Sequence, residues 1–113
     1  MPANFEARAR RSTYFAKPGD TNTATIYTCS TGIVATVEGV SMTADGAATG
    51  TIWISDGSTD WVIQWAESLT TDTHHFESFG QPVLKPGWSV KVKSSVASKI
   101  TFMLTVAEEL QRE

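Results

Sequence analysis

Pro86-Gly87-Trp88-Ser89-Val90-Lys91-Val92-Lys93, followed shortly by Lys99-Ile100-Thr101-Phe102-Met103-Leu104-Thr105-Val106, decides the fold. In the first run Trp88, Val90 and Val92 fall on one side, and Lys91 and Lys93 on the other. In the second, Ile100, Phe102, Leu104 and Val106 oppose Thr101, Met103 and Thr105. A period of two residues belongs to a pleated strand, whose side chains point alternately to opposite faces. Pro86-Gly87 suits the central positions of a type II turn: proline presets φ at the first and glycine accepts positive φ at the second.

The same period extends upstream. Ile26 and Thr28 alternate with Tyr27 and Cys29, and Ser30-Thr31-Gly32 breaks the run. Residues 33–44 read as one long strand, in which Gly39 marks a bulge or bend. Asp45-Gly46 opens a turn. Thr49 to Ser55 is a strand with Ile52 and Ile54 on one face and Trp53 on the other; Asp56-Gly57 is the next turn. Asp60 to Ala66 places Trp61, Ile63 and Trp65 on a common, core-facing side. Residues 67–81 read as a loop with a short strand near His75 to Phe79. Seven or eight short strands separated by Gly, Pro and Asp turns, with no convincing long helix and no internal repeat, predict an all-β fold. The expectation is an antiparallel β-sandwich, jelly-roll-like, over residues 23–108, with an extended N-terminal arm over 1–22 and a tail over 109–113. Within the arm, Ala3 to Arg11 fits a short helix.

At 113 residues the chain is the size of one domain, and a domain of that size buries roughly two-thirds of its unfolded surface. Net charge is −3, without the basic face that general nucleic-acid binding needs. The charge is uneven. Residues 1–17 hold Arg8, Arg10, Arg11 and Lys17 against Glu6, a balance of +3, so the rest of the chain carries −6. A basic arm on an acidic body fits docking on a neighbouring acidic body, and a solvated terminus accounts for the same asymmetry equally well. Phe5, Tyr14 and Phe15 give such an arm apolar anchors. No run approaches the ~20 apolar residues of a membrane span. The start, Met1-Pro2-Ala3, lacks the apolar core of a secretory signal, so synthesis in a cytoplasm is expected. A single cysteine, Cys29, rules out an intrachain disulfide and reads as a buried, inert thiol.

The residues offer little for catalysis. His74 and His75 are adjacent and point to opposite faces of any strand, which opposes joint chelation, and no metal or other cofactor is expected. There is no Gly-x-Ser-x-Gly elbow and no glycine-rich loop leading into a helix. Asp56 with Asp60, and Glu108 with Glu109, sit in a turn and a tail. The chain is therefore expected not to be an enzyme. Among four tryptophans, Trp61, Trp65 and Trp88 share faces with Ile63, Val90 and Val92, which points to the core. Trp53 shares its face with Thr51 and Ser55, which leaves three uses open: an interface, core packing, or a platform for a sugar ring.

Two segments carry a resemblance. Thr25-Ile26-Tyr27-Thr28-Cys29-Ser30-Thr31-Gly32, leading into Ile33 to Val40, resembles a strand and turn of small virion proteins of tailed phages and gene-transfer particles. Val83-Leu84-Lys85-Pro86-Gly87-Trp88-Ser89-Val90-Lys91-Val92 resembles the later turn and strand of that pattern, and a final alternating strand ends near Glu108. The likeness spans residues 25–108; Cys29-Ser30 stands where proline is common, and Trp88 where a small acidic residue is. The resemblance implies a capsid decoration (cement) protein, made in a host cytoplasm and located in the virion. It would stabilise the head through symmetric contacts as a trimer or other cyclic homo-oligomer, with the major capsid protein or another virion protein as partner. A tail, head-tail connector or spike-base component is the alternative, and a carbohydrate-binding module the alternative of another class. The expected protein-interface residues are Phe5, Arg8, Arg10, Arg11, Tyr14, Phe15 and Trp53.

Overall fold

A computed structural model of the chain describes residues 10–110. Nine strands follow in order: β1 (Arg10–Ala16), β2 (Ala24–Thr28), β3 (Ile33–Ala44), β4 (Ala48–Ser55), β5 (Asp60–Leu69), β6 (Thr73–Glu77), β7 (Val83–Leu84), β8 (Ser89–Ser94) and β9 (Ile100–Leu110). They form two antiparallel sheets, β1-β9-β3-β6 and β2-β8-β4-β5, with the short β7 also paired to β3. The pairings nest: β1 with β9, β2 with β8, β3 with β6, β4 with β5. Nested pairing is what a long hairpin gives when it is rolled over itself, and it defines the jelly roll.

The core lies between the sheets. Phe102, Leu104 and Val106 of β9 are fully buried against Val37, Val40 and Met42 of β3 and Ile52, Val90 and Val92 of the other sheet. Burying each such side chain contributes about 1.5–3 kcal/mol. β3 reaches this core through a bulge. Its inward residues are odd-numbered at Ala35 and Val37, then even-numbered at Val40, Met42 and Ala44. The register against β9 shifts between Val37 and Gly39, so Glu38 is the extra residue that reverses the phase. The sheets approach closely at Gly50, where a Cβ would sit 2.5 Å from Met42 Sδ. At Pro86-Gly87 the Trp88 N–H donates to the Lys85 carbonyl at 3.0 Å and Gly87 has φ 88°, the type II turn expected from the dipeptide.

The ends differ from expectation. The second half of the expected arm is a strand of the body: β1 pairs with β9 from Arg10↔Glu108 to Ala16↔Phe102. Its two-residue alternation, with Ser12, Tyr14 and Ala16 more buried than Thr13 and Phe15, is masked in the sequence by flanking arginines. Arg10 and Arg11 are therefore extended, and the rest of the expected helix lies outside the described residues. The expected tail also begins later. β9 runs through Glu109 and Leu110, which pair with Val34 and Ile33. Within the expected 67–81 loop, β5 continues to Leu69 and β6 occupies Thr73–Glu77.

Candidate functional site

The outer faces of the two sheets carry the features that the core does not explain. On the first sheet, Phe15 lies opposite Met103, Met103 opposite Ser41, and Ser41 opposite Phe76, giving one row across all four strands. Phe15 is 67% exposed and Phe76 is 57% exposed. Phe76 lies flat because Gly39 beneath it has no Cβ; one built there would collide with the ring. The row is bounded by charge. On β1, Arg10 and Arg11 are exposed, and Arg11 Nε meets Glu38 Oε1 at 2.9 Å. At the opposite edge, exposed Asp72 and Glu77 bracket β6. Near the end of β1, Lys17 Nζ lies 3.0 Å from Asp45 Oδ2 and holds that carboxyl below the usual carboxylate range.

The expected interface residues separate accordingly. Phe15, Arg10 and Arg11 are at the surface. Tyr14 is half-buried and points inward, its ring tilted 55° against Tyr27 with centroids 5.0 Å apart, because it shares the inward parity of β1 with Ser12 and Ala16. Phe5 and Arg8 lie outside the described residues.

The second sheet holds the tryptophans. Trp53 points outward from β4, opposite Lys91 and Val62. Trp61 and Trp65 were expected in the core; instead they are 42% and 70% exposed. The cause is the path of β5. Its register against β4 shifts twice, between Gly50 and Ile52 and between Ile52 and Trp53, so strict alternation fails between the two indoles. Ala66 takes φ 44° at the first irregularity, and its N–H donates to Thr51 Oγ1 at 3.0 Å. Trp65 thereby joins Trp53 on the outer face, where they line a depression of about 380 Å³ with Thr21, Thr49, Thr51, Ala66, Lys93 and Ser95. Trp61 packs instead against half-buried Trp88, centroids 5.3 Å apart, with Lys85 Nζ 5.8 Å from the Trp88 ring. No sequence signal marks this site, because the edge position of β5 follows from the sheet order alone.

Other reactive groups are occupied structurally. Cys29 is buried, its Sγ 3.2 Å from the Ile33 carbonyl, and burial pushes its thiol pKa up, away from a reactive thiolate. The Tyr27 hydroxyl donates to Glu108; burial first, then that carboxylate, raises its pKa. His74 Nδ1 lies 3.2 Å from Thr43 Oγ1. His75 Nδ1 lies 3.8 Å from Glu67 Oε2, and its Nε2 is enclosed with no hydrogen-bond partner among the described residues. Among those residues no three His, Cys, Asp or Glu groups are placed to share a metal ion.

The chain matches no protein-family model and no curated protein sequence. Its likeness to known proteins is one of fold. A subunit of the disulfide-linked pili that form Bacillus endospore appendages superposes with a TM-score of 0.55 at 14% identity, covering 99% of this chain and 96% of that one. A chain from the acid-stable capsid of Helicobacter pylori bacteriophage KHP30 gives 0.52 at 14% identity, covering 90% and 87%. The Drosophila NLP core, described for pentamer formation and histone binding, gives 0.52 at 10% identity, covering 88% and 97%. What these chains share with this one is the fold alone, two antiparallel sheets packed as a sandwich.

Proposed function

We propose that the chain is a structural subunit of a tailed-phage particle, a capsid decoration (cement) protein that binds and stabilises the assembled head and does no catalysis. The observation that carries this reading is the Phe15–Met103–Phe76 row on the outer face of the first sheet, with an exposed aromatic on each of its outer strands. Exposed aromatics at both ends of one row fit head-to-tail contact between identical copies, which closes into a ring when the rotation allows. The segment that precedes β1, with Phe5 and Arg8, would continue the contact onto the next copy. Two likenesses support the reading: a phage capsid chain of nearly equal length shares the fold, and so does a fibre-building subunit.

The test is assembly. Native mass by light scattering should give a closed ring, and the protein should saturate undecorated heads at a fixed ratio. Deleting residues 2–9, which leaves β1 intact, should weaken saturation without changing the circular-dichroism spectrum. Phe15→Ser should do the same. A tail, connector or spike-base component would instead give threefold or sixfold rings that ignore the head lattice. A protein that is monomeric at all concentrations and indifferent to heads and tails alike would defeat the proposal.

A further inference from the structure

We propose that the depression between Trp53 and Trp65 is a saccharide site that accepts one sugar ring bearing a carboxylate, such as the terminal uronic or sialic acid of a glycan. This goes beyond the assembly role and does not depend on it. The site lies on the sheet opposite the Phe15–Phe76 row, so a subunit docked through that row still presents it to solvent.

Ala66 holds a φ of 44°, a left-handed conformation that a non-glycine residue rarely adopts. Such a residue costs on the order of 1–3 kcal/mol and persists where the surroundings hold it. Here Thr51 does so, through the bond from the Ala66 N–H. The result is to bring Trp65, 70% exposed, to the same outer face as Trp53. Two indoles beside one shallow depression give a flat apolar surface suited to the C–H face of a pyranose.

The polar lining selects the rest of the ligand. Thr21, Thr49 and Ser95 bring hydroxyls, which can both donate and accept. Among the described residues Lys93 brings the only charge in the lining. Its ammonium has no ion partner among the described residues, whereas Lys91, its neighbour on the same face, lies 3.6 Å from Asp60. Among the described residues no carboxylate or side-chain amide lines the depression. A neutral sugar, with many hydroxyl protons to place, would find few strong acceptors. A sugar carboxylate would meet a cation and donors, and charge-assisted bonds are the stronger kind.

Size and charge limit the ligand further. A volume of about 380 Å³ lies near the lower end for ligand cavities and fits a single ring. One cation on a body of net negative charge suits one carboxylate. A polyanion such as single-stranded nucleic acid would need a track of cations.

The test uses the full chain and four sugar probes, glucuronic acid and sialyllactose with glucose and lactose as neutral counterparts, and oligothymidylate as a polyanion control. Tryptophan fluorescence and calorimetry should show saturable binding of the two acidic probes and none of the neutral ones at equal concentration. Trp65→Ala should abolish the response. Lys93→Met should weaken it about tenfold, the scale of one charge-assisted hydrogen bond. Both side chains are exposed, so both variants should keep the parent circular-dichroism spectrum. Silence with all four probes, or equal binding of the neutral pair, overturns the assignment. So does tighter binding of oligothymidylate. A change of native mass in Trp65→Ala would instead make the depression a contact between copies. Head binding by Lys93→Met, measured in parallel, separates failure of this site from failure of the assembly role.

Discussion

β9 and β5 are both long strands rich in large apolar side chains, and they end in opposite states. β9 lies between β1 and β3 and is hydrogen-bonded along both edges. Its inward residues Ile100, Phe102, Leu104 and Val106 are all fully buried. β5 is an edge strand with β4 as its only sheet partner. Its register shifts twice, and Trp61, Val62 and Trp65 remain exposed. The difference lies in the number of neighbours. A register slip in a two-sided strand would break two ladders and turn its whole apolar set outward. An edge strand can bulge at the expense of one ladder, which also blunts it against unwanted pairing. The strand held on both sides builds the core, and the one held on a single side is free to build a surface.

The largest effect should come from truncating one aromatic in each strand. Phe102→Ala opens a cavity at the centre of the sandwich and should cost about 3–5 kcal/mol in urea unfolding. Trp65→Ala removes a larger side chain from the surface and should change stability by no more than about 0.5 kcal/mol. Equal losses would mean that β5 contributes to the core as β9 does, and the contrast would collapse.

Most of this contrast is legible from residues alone only on the β9 side. Ile100 to Val106 alternate without exception, the structure needs nothing else from them, and the strand emerges where the pattern places it. The Pro86-Gly87 turn and the Gly39 bulge are equally legible, because the backbone need is written in the residue type. β5 shows the same alternation, but nothing in Asp60 to Ala66 marks it as an edge, and the positive φ falls on an alanine. Burial of Trp61 and Trp65 is the natural inference, and sheet position overrides it. β1 fails in the other direction: Arg10 and Arg11 disguise a strand whose alternation is carried only by Ser12, Tyr14 and Ala16. Of the Phe15–Phe76 row, Phe15 is visible in the sequence. Phe76 is not, because pairing through Ser41 and Met103 is a property of topology.

A middle-sized effect sharpens the account of β9. Its inward series ends on Glu108, which accepts a bond from Tyr27 of the opposite sheet. Tyr27→Phe should cost about 1.5–3 kcal/mol at pH 7, the range for hydrogen bonds to charged groups. The pH dependence gives a second reading. The folded pKa of Tyr27 is raised above its ordinary value of 10.0. Its neutral form is therefore favoured on folding, and that contribution is complete below pH 10 and lost as pH rises further. The gap between parent and Tyr27→Phe should hold up to about pH 10 and narrow progressively above it. A smaller alkaline loss should persist in the variant, because the Cys29 thiol is raised as well. A gap that stays constant with pH would show that Tyr27 contributes packing alone.

The smallest effect tests the entrance to β5. Asp56 accepts bonds from the Ser58 and Thr59 N–H groups at 2.8 and 2.7 Å, fixing the turn that sets the register of β5 against β4. These bonds, Thr59 first, hold its pKa below the usual 3.8. A carboxyl lowered on folding stabilises above its unfolded pKa, and that contribution is lost as pH falls through the folded value. The parent should thus lose a little stability below about pH 4. Asp56→Asn keeps an acceptor oxygen and removes the charge, so its acid limb should be shallower, while Asp45, lowered by Lys17, still contributes. Asp56→Ala should further loosen the turn and speed amide exchange in Asp60 to Gln64 before it affects β9. If exchange in the two strands rises together, β5 is not the independently yielding edge that its bulges imply.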